Sequence, residues 1–436
     1  MTKFLMISGG GDGLGLALRL KDEGNDVAVW IREGRSKRNY DGLLRKVAKW
    51  EEFLDKDTIV LFDSNGGGRT ADRLRARGHF VFPGSTFADQ LELDRQVAFE
   101  LMQQCGVKVP KYKAFSSWDK ARTYVKERAV RLCFKPSGDS VNQLGSYLAY
   151  DTDDMLEYLD LAQEKHRGRP EFLLQDFVKG VEVSSEGWFN GERFMRPFNH
   201  TIERKALMND NIGPSTRCAG NVVWTVDSSP IISQGIGLME PLLREREYLG
   251  PIDLNAIVNE EGVWALEFTP RFGYEALPAL LELFEQPVGE TLSALARGER
   301  PSRLPMSSTP NTFASALFVS IPPYPTDKAP QEGIPVRGFT KQDRPHLYFY
   351  DVMLDDKLRI VTTPAYGAVV TVTSKGDDIV SAMREPYEVA KRAKIPNKQY
   401  RTDLTNVFIT ARAELDPYLK ETNDAAVVET VSTDSA

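Results

Sequence analysis

Cysteine and histidine are scarce in this chain, and their scarcity excludes two chemistries. The three cysteines, Cys105, Cys133 and Cys218, are widely separated and fall in no metal-type spacing. That pattern fits free thiols in a reducing compartment rather than a disulfide framework. The four histidines, His79, His166, His200 and His346, show no zinc spacing either. No apolar run approaches the roughly 20 residues needed to span a bilayer. The start, MTKFLMISGGG, carries no signal-peptide cleavage pattern. Positive charge is not in excess: the formal net charge of −7 argues against a general nucleic-acid-binding surface. Walker A is missing. So is the G-x-G-x-x-G fingerprint, because in SGGGDGLG the closing glycine of every frame falls on Leu14 or Leu16. These absences leave a cytoplasmic enzyme as the expectation, with no membrane or nucleic-acid partner and no nicotinamide chemistry.

What is present is ordinary for a globular protein: 436 residues, 41% apolar and 27% charged, long enough for about two to four domains. KFLMIS, a glycine turn, LGLALRLKDEG and DVAVWI read as strand, turn, helix, strand, and TIVLFD, TADRLRARG and HFVFPGS continue the alternation. Strands alternating with helices predict a parallel α/β sheet over residues 1–90. QLELDRQVAFELMQQCG reads as one amphipathic helix ended by Gly106. RAVRLCFKPSGDSVNQLGSYLAY reads as a hairpin with a mobile tip. A second pair of strands turns at Asn190-Gly191. PIDLNAIV and VWALEF form a further pair around NEEG, followed by a helix, EALPALLELFE. The expected division is a Rossmann-like domain over 1–90, a central domain over 91–305 with a mobile subdomain at about 112–185, and a small α/β cap over 306–412. The tail, 413–436, is polar and expected to be disordered.

Several residues stand where an anion site needs them. The glycine loop at Gly10, Gly11 and Asp12 sits between a strand and a helix, and reads equally as a phosphate cradle or a structural tight turn. Lys135 ends a strand before a polar loop, a good place for an ammonium meeting phosphate. The segment Gln175, Asp176, Phe177 and Val178 offers backbone groups to a base edge, and Gly180 turns the chain so that Glu182 reaches ribose hydroxyls. Asp253 and Glu267 lie on consecutive strands, so their carboxylates face each other within reach of Mg²⁺. Each signal alone is weak; their order along the chain is not.

That ordered set resembles the ATP-grasp superfamily, and within it the glycinamide ribonucleotide synthetases (phosphoribosylamine–glycine ligases), over about residues 3–405. LLQDFVKGVEVSSEGWFNGERF is similar to the family's adenine and ribose strand. NIGPSTRCAG is similar to its G-P-N-T-G-G-M-G loop, and LEFTPRFGYE to its E-x-N-x-R-F-G-D-x-E signature. The resemblance implies an ATP-grasp fold and an enzyme in which ATP phosphorylates a carboxylate and an amine attacks the acyl phosphate, with Mg²⁺ or Mn²⁺ as the metal. It implies ATP at Arg95, Lys135, Gln175–Val178 and Glu182, and metal at Glu267, Asp253 and Thr269. Catalysis would fall to Arg271 and Glu267. Substrate would meet Gly10, Gly11, Asp12, Lys205, Gly213, Pro214, Ser215, Thr216 and Gly273. The substrates would be an amino acid, expected to be glycine, and an amine; the protein would be a monomer or weak dimer.

The departures concentrate on substrate contacts. Thr269 replaces the family's second metal ligand, an asparagine. Its Arg-Glu-His after the first glycines is Asp12-Gly13-Leu14 here, its G-G-R near the end is Tyr366-Gly367-Ala368, and GDSVNQLG lacks its loop lysine. Nucleotide-side residues persist while amine-side residues change. The expectation is therefore a ligase with an amine other than phosphoribosylamine; the alternatives are a true phosphoribosylamine–glycine ligase or an ATP-binding pseudoenzyme.

Overall fold

The computed structural model describes residues 1–420 except 139, 141–143, 308, 310, 311 and 327. Its first sheet is built from β1 (Lys3–Ser8), β2 (Asp26–Ile31), β3 (Arg45–Lys46), β4 (Ile59–Phe62) and β5 (Phe80–Val81), all parallel, in the order β3-β2-β1-β4-β5. Successive β1 side chains point to opposite faces and enter different cores. Phe4 and Met6 pack with Leu14 and Leu20 of helix 14–22, whereas Leu5 and Ile7 pack with Ala71 and Leu74 of helix 68–76. Burial on both faces is what lets an apolar run such as FLMI sit in a parallel strand.

The helix expected from Gln90 to Gly106 is two helices, Thr86–Leu93 and Arg95–Gln104. Asp94 breaks them apart: its backbone leaves the helical region (φ −107°, ψ 89°) and its carboxylate accepts the Val97 amide at 3.1 Å. Aspartate gains more as an N-cap than inside a helix.

A four-stranded antiparallel sheet follows, β6 (Tyr112–Phe115), β7 (Leu132–Pro136), β8 (Tyr147–Leu148) and β9 (Phe172–Asp176), in the order β6-β9-β7-β8. Phe172 stacks on Trp118 at the start of helix 118–128 (centroids 4.9 Å) and on Phe134 of the neighbouring β7 (4.7 Å), tying the sheet to that helix. Cys133 pairs with Leu148, so the expected hairpin forms; four residues of its tip lie outside the described residues.

The largest sheet carries the site. Its strands are β10 (Val181–Asn190), β11 (Phe194–Ala206), β12 (Ser215–Val226), β13 (Leu249–Asn259), β14 (Gly262–Thr269) and β15 (Phe313–Ser320). Beyond them come β16 (Leu347–Phe349), β17 (Val352–Leu354), β18 (Ile360–Thr362) and β19 (Ala368–Gly376). The order is β14-β13-β10-β11-β12-β15-β19-β16, while β17 and β18 pair separately. Strands beyond residue 305 thus extend the central sheet. The connection after Asn190 is three residues, 191–193, with Asn190 Oδ1 accepting the amides of Glu192 and Arg193. The expected helix after β14 shrinks to Leu277–Leu281.

Register decides which side chains share a face. Asp253 pairs with Thr269 and Asn255 with Glu267, while Glu186 pairs with Asp253 and Ser184 with Asn255. With a side-chain period of two, Ser184, Glu186, Asp253, Asn255, Glu267 and Thr269 all lie on one face. Asp253 therefore stands opposite Thr269, and reaches Glu267 diagonally rather than across one rung as expected. Leu254 and Phe268 face the other way, into a core with Phe99, Ile236 and Leu243.

Residues 413–415 end a helix, Leu404–Leu415, that the sequence reading did not anticipate, and a turn follows at 416–418, so disorder does not begin at 413. The remainder of the tail lies outside the described residues. Among the described residues no helix is long and apolar enough to cross a membrane.

On the apolar side of the sheet His200 is fully buried between two hydroxyls, Ser185 Oγ at Nδ1 and Ser229 Oγ at Nε2, each 2.9 Å away. Ser229 also caps helix 230–234. Burial, aided by the Arg412 charge, pushes the imidazole down from 6.5 to about 3. A depressed histidine leaves the unfolded chain binding more protons between those values, so its contribution is complete above about 6.5 and is lost as pH falls towards 3. His200→Gln should therefore flatten the pH dependence of urea-unfolding stability across that window, while costing about 1–3 kcal/mol at neutral pH through hydroxyls left unpaired.

Candidate active site

The polar face of the central sheet forms the floor of a cavity of about 350 Å³ that holds Lys205, Asp253, Glu267, Thr269, Arg271 and Gly273. At its centre Glu267 Oε2 accepts Arg95 Nη1 at 2.7 Å. Burial works against the Glu267 charge, but Arg95, Lys135 and Lys205 override it and hold the carboxyl well below its ordinary range. Burial lowers Lys135, with Glu267 opposing. Lys205 is likewise lowered by burial, yet Glu267, Glu182 and Glu203 outweigh that and keep it charged. Glu182 lies 3.8 Å from Lys205 Nζ and accepts Asn255 Nδ2 at 2.9 Å. Lys135, Glu182, Lys205, Arg95 and Glu267 thus form one mutually charged group. Gly180 lets β10 begin here, since a Cβ would lie 2.4 Å from the Val258 carbonyl oxygen.

The segment expected at a base edge crosses from β9 to β10. Gln175 is buried with its Oε1 unpartnered among the described residues, and Asp176 pairs with Arg128 at 2.5 Å. The Phe177 amide donates to Arg131 O at 3.1 Å, and its ring lies under the Arg131 guanidinium at 4.1 Å. Val178 is half-buried on the connection.

Glu267 and Asp253 are the carboxylates placed for a metal, with Thr269 opposite Asp253 in the same cavity. Asp253 accepts the Ser184 hydroxyl and is pushed up to about 6 by burial, with the neighbouring Glu267 adding to the shift. Glu186, pushed up to about 8 by burial and by Asp253, accepts Trp188 Nε1 at 2.8 Å. Among the described residues no three His, Cys, Asp or Glu side chains cluster as a metal cage. The donor set therefore fits a hard cation whose remaining ligands come from phosphate oxygens, as Mg²⁺ prefers.

Arg271 is engaged from outside the expected set. Glu92, on helix 86–93, grips it through two bonds, Nη2 to Oε1 at 2.8 Å and Nε to Oε2 at 3.1 Å. Lys205 and Gly273 line this cavity rather than the neighbouring one.

The neighbouring cavity, about 370 Å³, is lined by Gly10, Gly11, Asp12, Ser215, Thr216 and Arg217 on one side and by Tyr324, Tyr350 and Tyr366 on the other. Gly213 and Pro214 lie on an exposed turn beyond it. That turn is tied down by Arg401, whose fully buried guanidinium reaches Asn211 Oδ1 at 2.7 Å and Asp403 at 2.7 Å.

The glycine loop, left open by its sequence, already has an anion. Asp63, fully buried at the end of β4, accepts the Gly9 and Gly13 amides at 2.8 Å each and the Ser8 hydroxyl, while Gly11 donates to Ser8 Oγ at 2.8 Å. Asp351 does the same for the 366–368 turn, accepting the amides of Tyr366, Gly367 and Ala368 at 2.9, 3.0 and 3.1 Å. Asp63, Glu92, Arg217 and Arg401 were not found by sequence reasoning. Each works through a partner far away along the chain, and only the carboxylate directly before the SNGGG turn offered a local signal.

Comparison with known proteins agrees with this geometry. Residues 94–275 match the family described as phosphoribosylglycinamide synthetase, ATP-grasp (A) domain. The phosphoribosylamine–glycine ligase of Streptococcus pneumoniae is 21% identical over 92% of this chain and 98% of its own. That of Corynebacterium ammoniagenes is 24% identical over 79% of this chain and 81% of its own. In three dimensions the phosphoribosylamine–glycine ligase of Thermotoga maritima superposes with a TM-score of 0.73 at 19% identity, covering 92% of this chain and 99% of that one. The biotin carboxylase domain of Hydrogenobacter thermophilus 2-oxoglutarate carboxylase gives 0.62 at 12% identity over 92% of each chain. At these identities the superpositions speak for the fold, and with the family match over the cation-lined site they give one conclusion. The fold is that of the ATP-grasp enzymes, residues 94–275 match an ATP-grasp domain, and the chain is an ATP-grasp ligase that resembles the phosphoribosylamine–glycine ligases.

Proposed function

We propose that this enzyme joins glycine to phosphoribosylamine through a glycyl phosphate, at the expense of ATP. The observation that carries the reading is the convergence of Arg95, Lys135 and Lys205 on one ionised carboxylate, Glu267, in a chain whose relatives with that activity align along nearly their whole length. Three cations beside a cavity suit the triphosphate, and preorganised charge is the main contribution a protein makes to phosphoryl transfer. A magnesium ion between Glu267, Asp253 and the phosphates would supply charge neutralisation of the transferred group. Glu182 would take the ribose hydroxyls, Gln175–Val178 the adenine, and Arg271 the charge on the acyl phosphate.

A second reading, a different amine, rests on the other cavity. Its glycine-loop amides at residues 9, 11 and 13 are already bonded internally. Among its described lining residues the only lysine or arginine is Arg217, which Asp12 already holds. Neither feature favours a phosphorylated acceptor, whereas the relatives favour phosphoribosylamine, and on balance they support the first reading better.

One assay separates the two. Purified enzyme with ATP, Mg²⁺ and glycine should release ADP briskly when phosphoribosylamine is supplied; ADP release that ignores phosphoribosylamine but responds to another amine would replace the first reading by the second. An active ligase also predicts that Glu267→Gln lowers kcat by about 10²–10³, the usual loss when one charge-stabilising group is removed. Equal, slow ATP hydrolysis by wild type and Glu267→Gln with every amine offered would mean a nucleotide-binding protein without turnover.

A further inference from the structure

The two cavities meet at three residues. Asp12, Arg217 and Glu275 line both. They come from separate elements: the loop before helix 14–22, strand β12, and the segment after β14. Arg217 Nη1 donates to Asp12 Oδ1 and lies 4.0 Å from Glu275 Oε1. The Asp12 loop is rigid at this point, because Gly9 and Gly13 on either side are pinned to Asp63. The Arg217 side chain is 61% exposed, so it is held by charge and not by packing.

This layout constrains the second half of the reaction proposed above, on which the inference rests. The activated carboxylate forms over the central sheet, beside Glu267 and Arg271. The acceptor sits in the cavity of Tyr324, Tyr350 and Tyr366. Its nitrogen must reach the acyl carbon through the junction, where the groups lining both cavities are two carboxylates and one guanidinium. We propose that Asp12 is the catalytic base for amide formation and that Arg217 is a positioning residue that keeps it aimed at the junction. The amine lone pair forms the N–C bond, the C–O bond to phosphate breaks with its electron pair leaving on phosphate, and the proton shed by the nitrogen passes to the Asp12 carboxylate.

Hydroxylamine provides the test, because it is too weakly basic to need help losing its proton and traps an acyl phosphate as a hydroxamate. Wild type, Asp12→Asn, Glu275→Gln, Arg217→Gln and Arg217→Lys are each given ATP, Mg²⁺ and glycine, with either phosphoribosylamine or hydroxylamine. Asp12→Asn should lose about 10²–10⁴ in amide formation, the usual range for a general base, while hydroxamate formation falls far less, which also reports that the variant is folded. Arg217→Gln should lower amide formation while sparing the hydroxamate, because Asp12 loses the partner that aims it, and Arg217→Lys should restore part of the loss. A parallel fall of both products in Asp12→Asn, no fall in either, or the selective loss appearing in Glu275→Gln instead would overturn the assignment. Absence of hydroxamate from wild type would instead sink the acyl-phosphate reading beneath it.

Discussion

A carboxylate ringed by cations in a buried place is the constraint from which the rest of the site follows. Burial pushes Glu267 towards neutrality; Arg95, Lys135 and Lys205 outweigh it and keep the carboxylate charged. The cations gain as much from it, because Lys205 would otherwise be driven towards neutrality and is held charged by Glu267, Glu182 and Glu203. The free protein therefore carries an internal substitute for the negative charge that nucleotide phosphates bring. On the proposed reading, ATP phosphates would take the place that Glu267 holds against Arg95 at 2.7 Å. Breaking a buried ion pair without replacement is costly; exchanging it for phosphate and metal is not. The cluster thus stays preorganised without a ligand, as electrostatic catalysis demands.

Sheet register keeps the cluster together. Glu182, Ser184 and Glu186 alternate along β10, Asp253 and Asn255 along β13, and Glu267 and Thr269 along β14, and the pairing rungs put all of them on one face. A slip of one residue on any of these strands would send its acids into the apolar core and bring out Leu254 or Phe268. The core that buries those two residues is therefore as much a part of the site as Lys135 is. His200 of β11, sealed between Ser185 and Ser229 on the reverse face, ties β10 to β11 from behind.

How much of this was legible beforehand depended on distance along the chain. Lys135, Glu182 and Glu267 could be singled out because a strand end, a glycine turn and a strand-borne acid leave local marks, and the parallel sheet because strands alternate with helices over residues 1–90. The split at Asp94 went unread because periodicity carried straight through it, and only the cap geometry shows that Asp94 starts a helix. Asp253 was placed one rung wrong because register across NEEG is fixed by the tight turn and the Ala256 irregularity, which composition does not reveal. Glu92 clasping Arg271, Asp63 filling the glycine loop and Asp12 meeting Arg217 join residues from distant parts of the sequence. No window of sequence contains both halves of such a pair.

Those distant pairs share a chemical theme that bears on acceptor choice. Asp63 and Asp351 each occupy a nest of backbone amides of the kind that elsewhere binds phosphate, and both nests border the tyrosine-lined cavity. With the nests filled from within, the only lysine or arginine among the described lining residues of that cavity is Arg217, already paired with Asp12. A phosphorylated acceptor would gain a cation there only by drawing Arg217 off Asp12, whereas an unphosphorylated one would leave the pair intact. Either way the same guanidinium stands between the acceptor and Asp12, and selectivity for the amine is one electrostatic problem set by which anion holds Arg217.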